Sequence, residues 1–211
     1  MLKKGLIVSC QAEANSAFNN PNSIVNFAKE AERGGAVGVR IKGLNNIKCV
    51  SDEVSIPIIG ITKTHFSDGS VWITPPNSDL DSIITSGAQY IASDATGRGG
   101  YENLKMMCKN NDIIGDIASI DQAEEALKCG CIALATSLSG YTPSCNVDMD
   151  LPNYALLEEL IKKYPKTPII AEGRYWERDQ VKKAFDMGAH NVVVGTAITR
   201  PHLIVMRLRG Y

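Results

Sequence analysis

The chain is 211 residues long, 44% hydrophobic and 21% charged, with a formal net charge of −1 and a pI near 6.3. That length suits one well-buried domain, spanning 1–211, and lies at the short end for an eightfold barrel. With no basic cluster, the chain has nothing to neutralise a phosphate polymer or an anionic membrane, whereas capture of a single phosphate by backbone amides and one or two arginines stays open.

The first apolar run, Gly5-Leu6-Ile7-Val8-Ser9-Cys10-Gln11, reads as a buried strand with a polar exit, followed by an Asn, Pro and Ser rich loop. Ile24, Phe27, Ala28 and Ala31 then fall at helical spacing, and Gly34-Gly35 ends that helix. A second strand, Ala36 to Arg40, exits at an arginine. A short helix over Leu44 to Val50 leads to a third strand, Pro57 to Lys63, which exits at a lysine. The longer loop from Thr64 to Asp79 contains a small extended excursion at Val71-Trp72-Ile73-Thr74.

After a helix over Leu80 to Ser86, strand four (Tyr90 to Asp94) ends at an aspartate and enters a glycine-rich loop, Thr96 to Gly100. A helix over Asn103 to Lys109 precedes strand five, Ile113 to Asp116, and Ser119 is the expected N-cap of the helix through Lys128. Strand six covers Cys131 to Thr136, and the helix Tyr154 to Tyr164 carries Leu156, Leu157, Leu160 and Ile161 on one stripe. Strand seven, Pro168 to Glu172, stops at a carboxylate; the helix Asp179 to Met187 is stopped by Gly188. Strand eight reaches Gly195, and Ile198 to Leu208 forms a final helix.

Eight strands alternating with eight helices, each unit roughly 20 to 30 residues long, is the pattern of consecutive βα units. An open doubly wound sheet alternates in the same way. Placement of the polar residues favours a closed (β/α)8 TIM barrel. Gln11, Arg40, Lys63, Asp94, Asp116, Ser137, Glu172 and Gly195 stand at or just past strand ends, and only closure gathers all eight around one opening.

Six cysteines (Cys10, Cys49, Cys108, Cys129, Cys131, Cys145) read as free thiols of a reducing cytoplasm, since a core of this size needs no bridges. Cys129-Gly130-Cys131 lacks Cys-x-x-Cys spacing, and His65, His190 and His202 form no ligand pair, so no metal is expected. The N-terminal apolar run is too short for a signal peptide, and none approaches the ~18 residues of a membrane span. No P-loop, GxSxG or HExxH motif is present.

Lys63 is the sharpest chemical candidate. An amine closing the apolar run Ile58 to Ile61 is partly desolvated, which lowers its pKa toward a value useful for proton transfer. Spacing alone also admits a solvated lysine, or Schiff-base chemistry as in class I aldolases. Glu172 follows two isoleucines and an alanine, so it is either a reacting group or half of an ion pair with Arg174 or Arg40. Asp94 and Asp116 can orient substrate hydroxyls or merely fix neighbouring side chains and loop amides. Gly173, Gly195 and Thr196 permit close backbone approach to an oxyanion at the start of the last helix. Arg200, in that helix's first turn, is either a phosphate clamp or a surface residue.

Eight blocks carry a family resemblance in order along nearly the whole chain. They are Gly5 to Gln11, Gly34 to Arg40, Pro57 to Lys63, Asp94-Ala95-Thr96, Asp116-Ile117, Leu138-Ser139-Gly140-Tyr141-Thr142, Ala171-Glu172-Gly173-Arg174 and Ala197-Ile198-Thr199-Arg200-Pro201. Together they resemble the N-acylglucosamine-6-phosphate 2-epimerase family, which converts N-acetylmannosamine 6-phosphate to N-acetylglucosamine 6-phosphate in bacterial sialic acid breakdown. The resemblance implies a ribulose-phosphate-binding-like barrel and cofactor-independent inversion at C2, next to the open-chain C1 carbonyl. It makes Lys63 the proton-transferring residue and Glu172 its acid/base partner or a holder of the sugar. Gln11, Arg40 and Asp116 would then contact the sugar and acetamido groups, while Gly173, Gly195, Thr196 and Arg200 would hold the 6-phosphate. Two features depart from that pattern: Thr196, where a smaller residue is expected, and the glycine-rich Gly97-Arg98-Gly99-Gly100. The apolar Leu203, Ile204, Val205 and Met206 exceed what one core-facing stripe needs, pointing to a homodimer through the last helix.

Overall fold

The computed structural model describes residues 2–65, 71–142 and 147–210. Cys145 lies outside them, and the five described cysteines are free thiols. Eight parallel strands close into a barrel: β1 (Gly5–Cys10), β2 (Gly38–Lys42), β3 (Ile58–Ile61), β6 (Tyr90–Asp94), β7 (Ile113–Asp116), β8 (Ala133–Ala135), β9 (Ile169–Glu172) and β10 (Asn191–Val194). Between β3 and β6, β4 (Lys63–His65) and β5 (Val71–Ile73) form a separate two-stranded antiparallel sheet. Closure decides against the open sheet.

The helices are α1 (Pro21–Arg33), α2 (Leu44–Ser51), α3 (Leu80–Thr85), α4 (Tyr101–Cys108), α5 (Ile120–Cys129), α6 (Tyr154–Lys163), α7 (Arg178–Met187), α8 (Thr196–Thr199) and α9 (Pro201–Arg209). Their ends follow local chemistry. Asn20 caps α1 with Pro21 at the first helical position, and Ser119 caps α5. Glu177 and Gln180 form a reciprocal capping box on α7, whose end turns through the left-handed Gly188.

Side-chain alternation along the strands builds two cores. Val8, Ile58, Ile91, Ile113, Ile169 and Val192 pack with helix residues such as Ile24, Leu104 and Leu157. Their neighbours Ile7, Ile59, Ala92, Ile114, Ile170 and Val193 pack with one another inside the barrel. A period of two then fixes what lies above the interior layer. Ser9, Ile61, Asp94, Asp116 and Glu172 each stand two residues beyond an interior residue, on the same face and nearer the carboxyl ends.

Three of the differences from the sequence reading bear on the site. β2 starts later and runs to Lys42, because Ile41 continues the buried alternation, so Arg40 is a mid-strand residue paired in register with Ser9 and Ile59. β3 ends at Ile61, and Lys63 belongs instead to the antiparallel pair, opposite Ile73. The final helix is two helices, because Pro201 disfavours helical geometry in the residue before it and Arg200 is held at φ −123°, ψ 75°. Arg200 therefore sits at a junction and not in a first turn.

At the opposite end of the barrel, Asn191 Nδ2 donates to the carbonyls of Lys3 (2.8 Å) and Gly5 (3.0 Å). His190 Nε2 lies 2.9 Å from the Leu2 carbonyl.

Candidate active site

At the carboxyl ends of the strands, β2, β7 and β9 aim one cation and two carboxylates at a common point. Arg40 reaches Asp116 through both terminal nitrogens, Nη2 to Oδ2 at 2.5 Å and Nη1 to Oδ1 at 3.2 Å, and Nη1 also donates to Glu172 Oε2 at 2.8 Å. The Arg40 and Asp116 side chains are 2% and 0% exposed, while Glu172 keeps 16%. Of the triad, only Glu172 retains a face toward the opening. Ser137 Oγ stands 2.7 Å from Asp116 Oδ1 and 3.1 Å from Glu172 Oε2, so its hydroxyl bridges the two carboxylates. Below it, Thr136 Oγ1 accepts from the Glu172 amide and donates to the Glu172 carbonyl, both at 2.9 Å.

The electrostatics follow from burial. Desolvation works against the Arg40 charge, but Asp116 and Glu172 more than offset it and hold the guanidinium above its ordinary value. Burial pushes the Glu172 carboxyl upward against the pull of Arg40, and neighbouring Asp116 adds to the rise. Burial also pushes the Lys63 ammonium down, to about 8; Arg40 and Lys42 help, and Glu172 opposes. Lys63 and Glu172 thus sense each other across one opening, and a neutral amine is accessible near physiological pH.

The remaining sequence candidates separate. Glu172 pairs with Arg40 and not with Arg174, whose guanidinium donates to the carbonyls of Leu151 and Ser139, each at 2.7 Å. Gln11 Nε2 donates to Ser9 Oγ at 2.7 Å. Asp94 stands level with Asp116 on the neighbouring strand. Its oxygens, however, are taken up inside its own loop, by the Thr96 amide (2.9 Å), the Thr96 hydroxyl (2.6 Å) and Arg98. Those contacts are the second of the two roles open to Asp94, fixing neighbouring side chains and loop amides.

Gly173 (φ +110°) and Arg174 (φ +65°) turn the chain sharply off β9, with open space above the Gly173 Cα. Gly195 caps α8, where an added Cβ would meet that of Ser9 at 3.2 Å. Because α8 is one turn long, what it offers an anion is exposed amides and the Thr196 hydroxyl more than an extended dipole. Arg200, 32% exposed, pairs with Glu13 at 3.1 Å and is also among the charges that depress the Lys63 pKa.

Two functional neighbours escaped the sequence reading. Ser137 was visible as a polar strand exit but had no assigned task, and Lys42 was placed beyond its strand; extending the alternation of β2 by two residues would have found it. Among the described residues, no group of three His, Cys, Asp or Glu side chains could hold a metal ion.

Comparison with known proteins places the chain among similar sequences and a similar solved fold. The NanE family model, described as N-acetylmannosamine-6-phosphate epimerase, matches residues 24–210. A relative from Caldanaerobacter subterraneus subsp. tengcongensis, named as an N-acetylmannosamine-6-phosphate 2-epimerase, is 40% identical over 98% of this chain and 90% of its own. One of the same name from Clostridioides difficile is 39% identical over 96% and 93%. The solved structure of the Clostridium perfringens N-acetylmannosamine-6-phosphate 2-epimerase superposes with a TM-score of 0.90 at 35% identity, covering 99% of this chain and 93% of that one. The chain is therefore a member of the N-acetylmannosamine-6-phosphate epimerase family.

Proposed function

We propose that this chain interconverts N-acetylmannosamine 6-phosphate and N-acetylglucosamine 6-phosphate, with Lys63 moving the C2 proton. What supports this reading is a half-buried amine whose pKa burial depresses, within electrostatic reach of a carboxyl that burial raises, in a chain of this family. In the open-chain sugar the C1 carbonyl acidifies the C2 hydrogen. Neutral Lys63 accepts that proton; the electron pair passes into the carbonyl, leaving an enolate oxygen at C1 and an ammonium at Lys63. A proton returned to the opposite face of C2 restores the carbonyl and gives the epimer. Glu172, whose pKa is raised, is suited to give or hold that proton, or to orient the sugar while Lys63 serves both faces.

Arg40 contributes by position. Its charge, excluded from water and fixed by Asp116, stabilises negative charge developing at the opening without having to reorganise. Gln11 contacts the sugar and acetamido groups and Asp116 acts on them through Arg40 and Ser137, while Gly173, Gly195, Thr196 and Arg200 form the cradle for the 6-phosphate. The reaction as written balances with protons alone.

The test is to incubate the protein with N-acetylmannosamine 6-phosphate in D₂O and follow C2 by NMR. Deuterium entering C2 together with N-acetylglucosamine 6-phosphate is expected; a folded preparation giving neither rejects the reading.

We also infer that a second copy of the chain covers α9. This nine-residue helix buries none of its residues and leaves Val205, Met206 and Leu208 exposed, the last at 82%. A helix that short draws most of its stability from packing. Light scattering is expected to give twice the monomer mass, and Leu208→Glu to return the monomer. The free thiols support a cytoplasmic location; among the described residues, no helix is long and apolar enough to cross a membrane.

A further inference from the structure

Lys63 does not hang from the barrel wall. It opens β4, so its position depends on how the antiparallel pair β4–β5 is fastened to the barrel. Two fastenings are built from the end of β6 and the loop after it.

The first is Thr74, directly after β5. It is fully buried and adopts φ +42°, a backbone region that a β-branched residue seldom occupies. Its amide donates to the Thr62 carbonyl (3.0 Å), and its Oγ1 accepts from the Thr62 amide (3.1 Å). Its own carbonyl accepts from Ser93 Oγ at 2.8 Å. The residue preceding Lys63 is thereby tied through Thr74 to β6.

The second is Arg98. Its guanidinium pairs with Asp94 at the end of β6, its Nε donates to Thr96 Oγ1 (3.1 Å), and its Cζ lies 5.2 Å from the centre of the Trp72 ring on β5. A guanidinium held by a carboxylate and stacked on an indole is a directional link that lysine reproduces only in part. The glycines beside it allow this approach, since a Cβ on Gly99 would come within 2.6 Å of Pro76 Cγ. This accounts for both the glycine-rich loop and the inward commitment of Asp94.

We infer that Arg98 is a positioning residue for proton transfer: by bridging Asp94 on the barrel wall to Trp72 on β5, it keeps Lys63 set against Glu172 without itself touching substrate. The inference rests on the assignment of Lys63 above, and the two can fail separately.

Lys63→Ala comes first, in the full-length chain: persistent C2 exchange in D₂O would reject the lysine assignment and this inference with it. With that exchange lost, Arg98→Met, Trp72→Leu and the double variant are compared by kcat, KM for N-acetylmannosamine 6-phosphate, and the pH profile. A misplaced base lowers kcat on the order of tenfold while KM stays within about twofold, since binding contacts are unchanged. The acidic limb moves to higher pH as Lys63 gains water. The double variant is no slower than the slower single, and Arg98→Lys recovers part of the loss. A raised KM at unchanged kcat would mean that Arg98 touches substrate; additive losses, or wild-type kinetics, would equally overturn the inference. If Arg98→Met fails to fold, Trp72→Leu alone carries the same kcat and pH expectations.

Discussion

The two proposed proton-transfer residues stand on opposite kinds of support. Glu172 ends a barrel strand whose backbone is gripped on both polar groups by Thr136, and its carboxylate is held by Arg40 and Ser137. Lys63 begins a three-residue strand outside the barrel ladder, secured through Thr74 and the Arg98–Trp72 contact. The carboxyl is fixed by the scaffold, the amine by an appendage. The difference teaches that a barrel supplies a preorganised electrostatic floor from its strands, while a second reacting group can be hung beside that floor on a small sheet of its own, with burial the largest influence on both pKa values.

The comparison can be broken most severely at its appended member. Lys63→Ala is expected to lower kcat by about 10²–10⁴-fold, checked by coupled assay and by loss of C2 deuterium exchange, with thermal stability retained. On the fixed side, Arg40→Met leaves Asp116 and Glu172 buried without their cation and should cost about 3–5 kcal/mol, measured as a lower urea midpoint. Thr136→Val retains shape but strips both polar partners from the Glu172 backbone, for an expected loss of about 1–3 kcal/mol, again by urea unfolding. The smallest effect belongs to the surface: Lys182→Ala, removing an exposed pair with Asp186, should shift stability by less than about 1 kcal/mol.

A pH series sharpens the same contrast. If neutral Lys63 takes the proton, kcat/KM rises with pH through about 8, because only the deprotonated amine accepts. The sign for stability follows from linkage. The folded pKa lies below the unfolded one, so between about 8 and the ordinary lysine value the unfolded chain binds more protons, and stability rises with pH there. In Lys63→Ala that increment should vanish from denaturation midpoints measured across the window.

Much of the barrel was legible because parallel strands buried on both faces read as short β-branched runs, and β6, β7 and the Ser119 cap fell where the sequence places them. Arg40 was one of two partners read for Glu172, but its pairing with Asp116 was not legible; the two contacts span 132 and 76 residues of sequence and depend on the barrel's stagger. Lys63 was read as partly desolvated, in line with its intermediate exposure, but assigned to the wrong strand, because nothing in Pro57 to Lys63 marks where the barrel ladder stops and the antiparallel pair begins. Asp94 looked equivalent to Asp116 from its strand-end position; Arg98, four residues on, is what diverts it. The break at Arg200 could have been read from Pro201 alone.

The contacts of Asn191 and His190 with residues 2 to 5 draw β1 beside β10, joining segments about as far apart in sequence as the chain allows. A seam of such high contact order has the largest loop-closure entropy to overcome. It is the natural place for the cylinder to zip last and to unzip first. Amides along β1 and β10 should then exchange with solvent ahead of those in β6 and β7, and Asn191→Ala should hasten unfolding more than it slows folding.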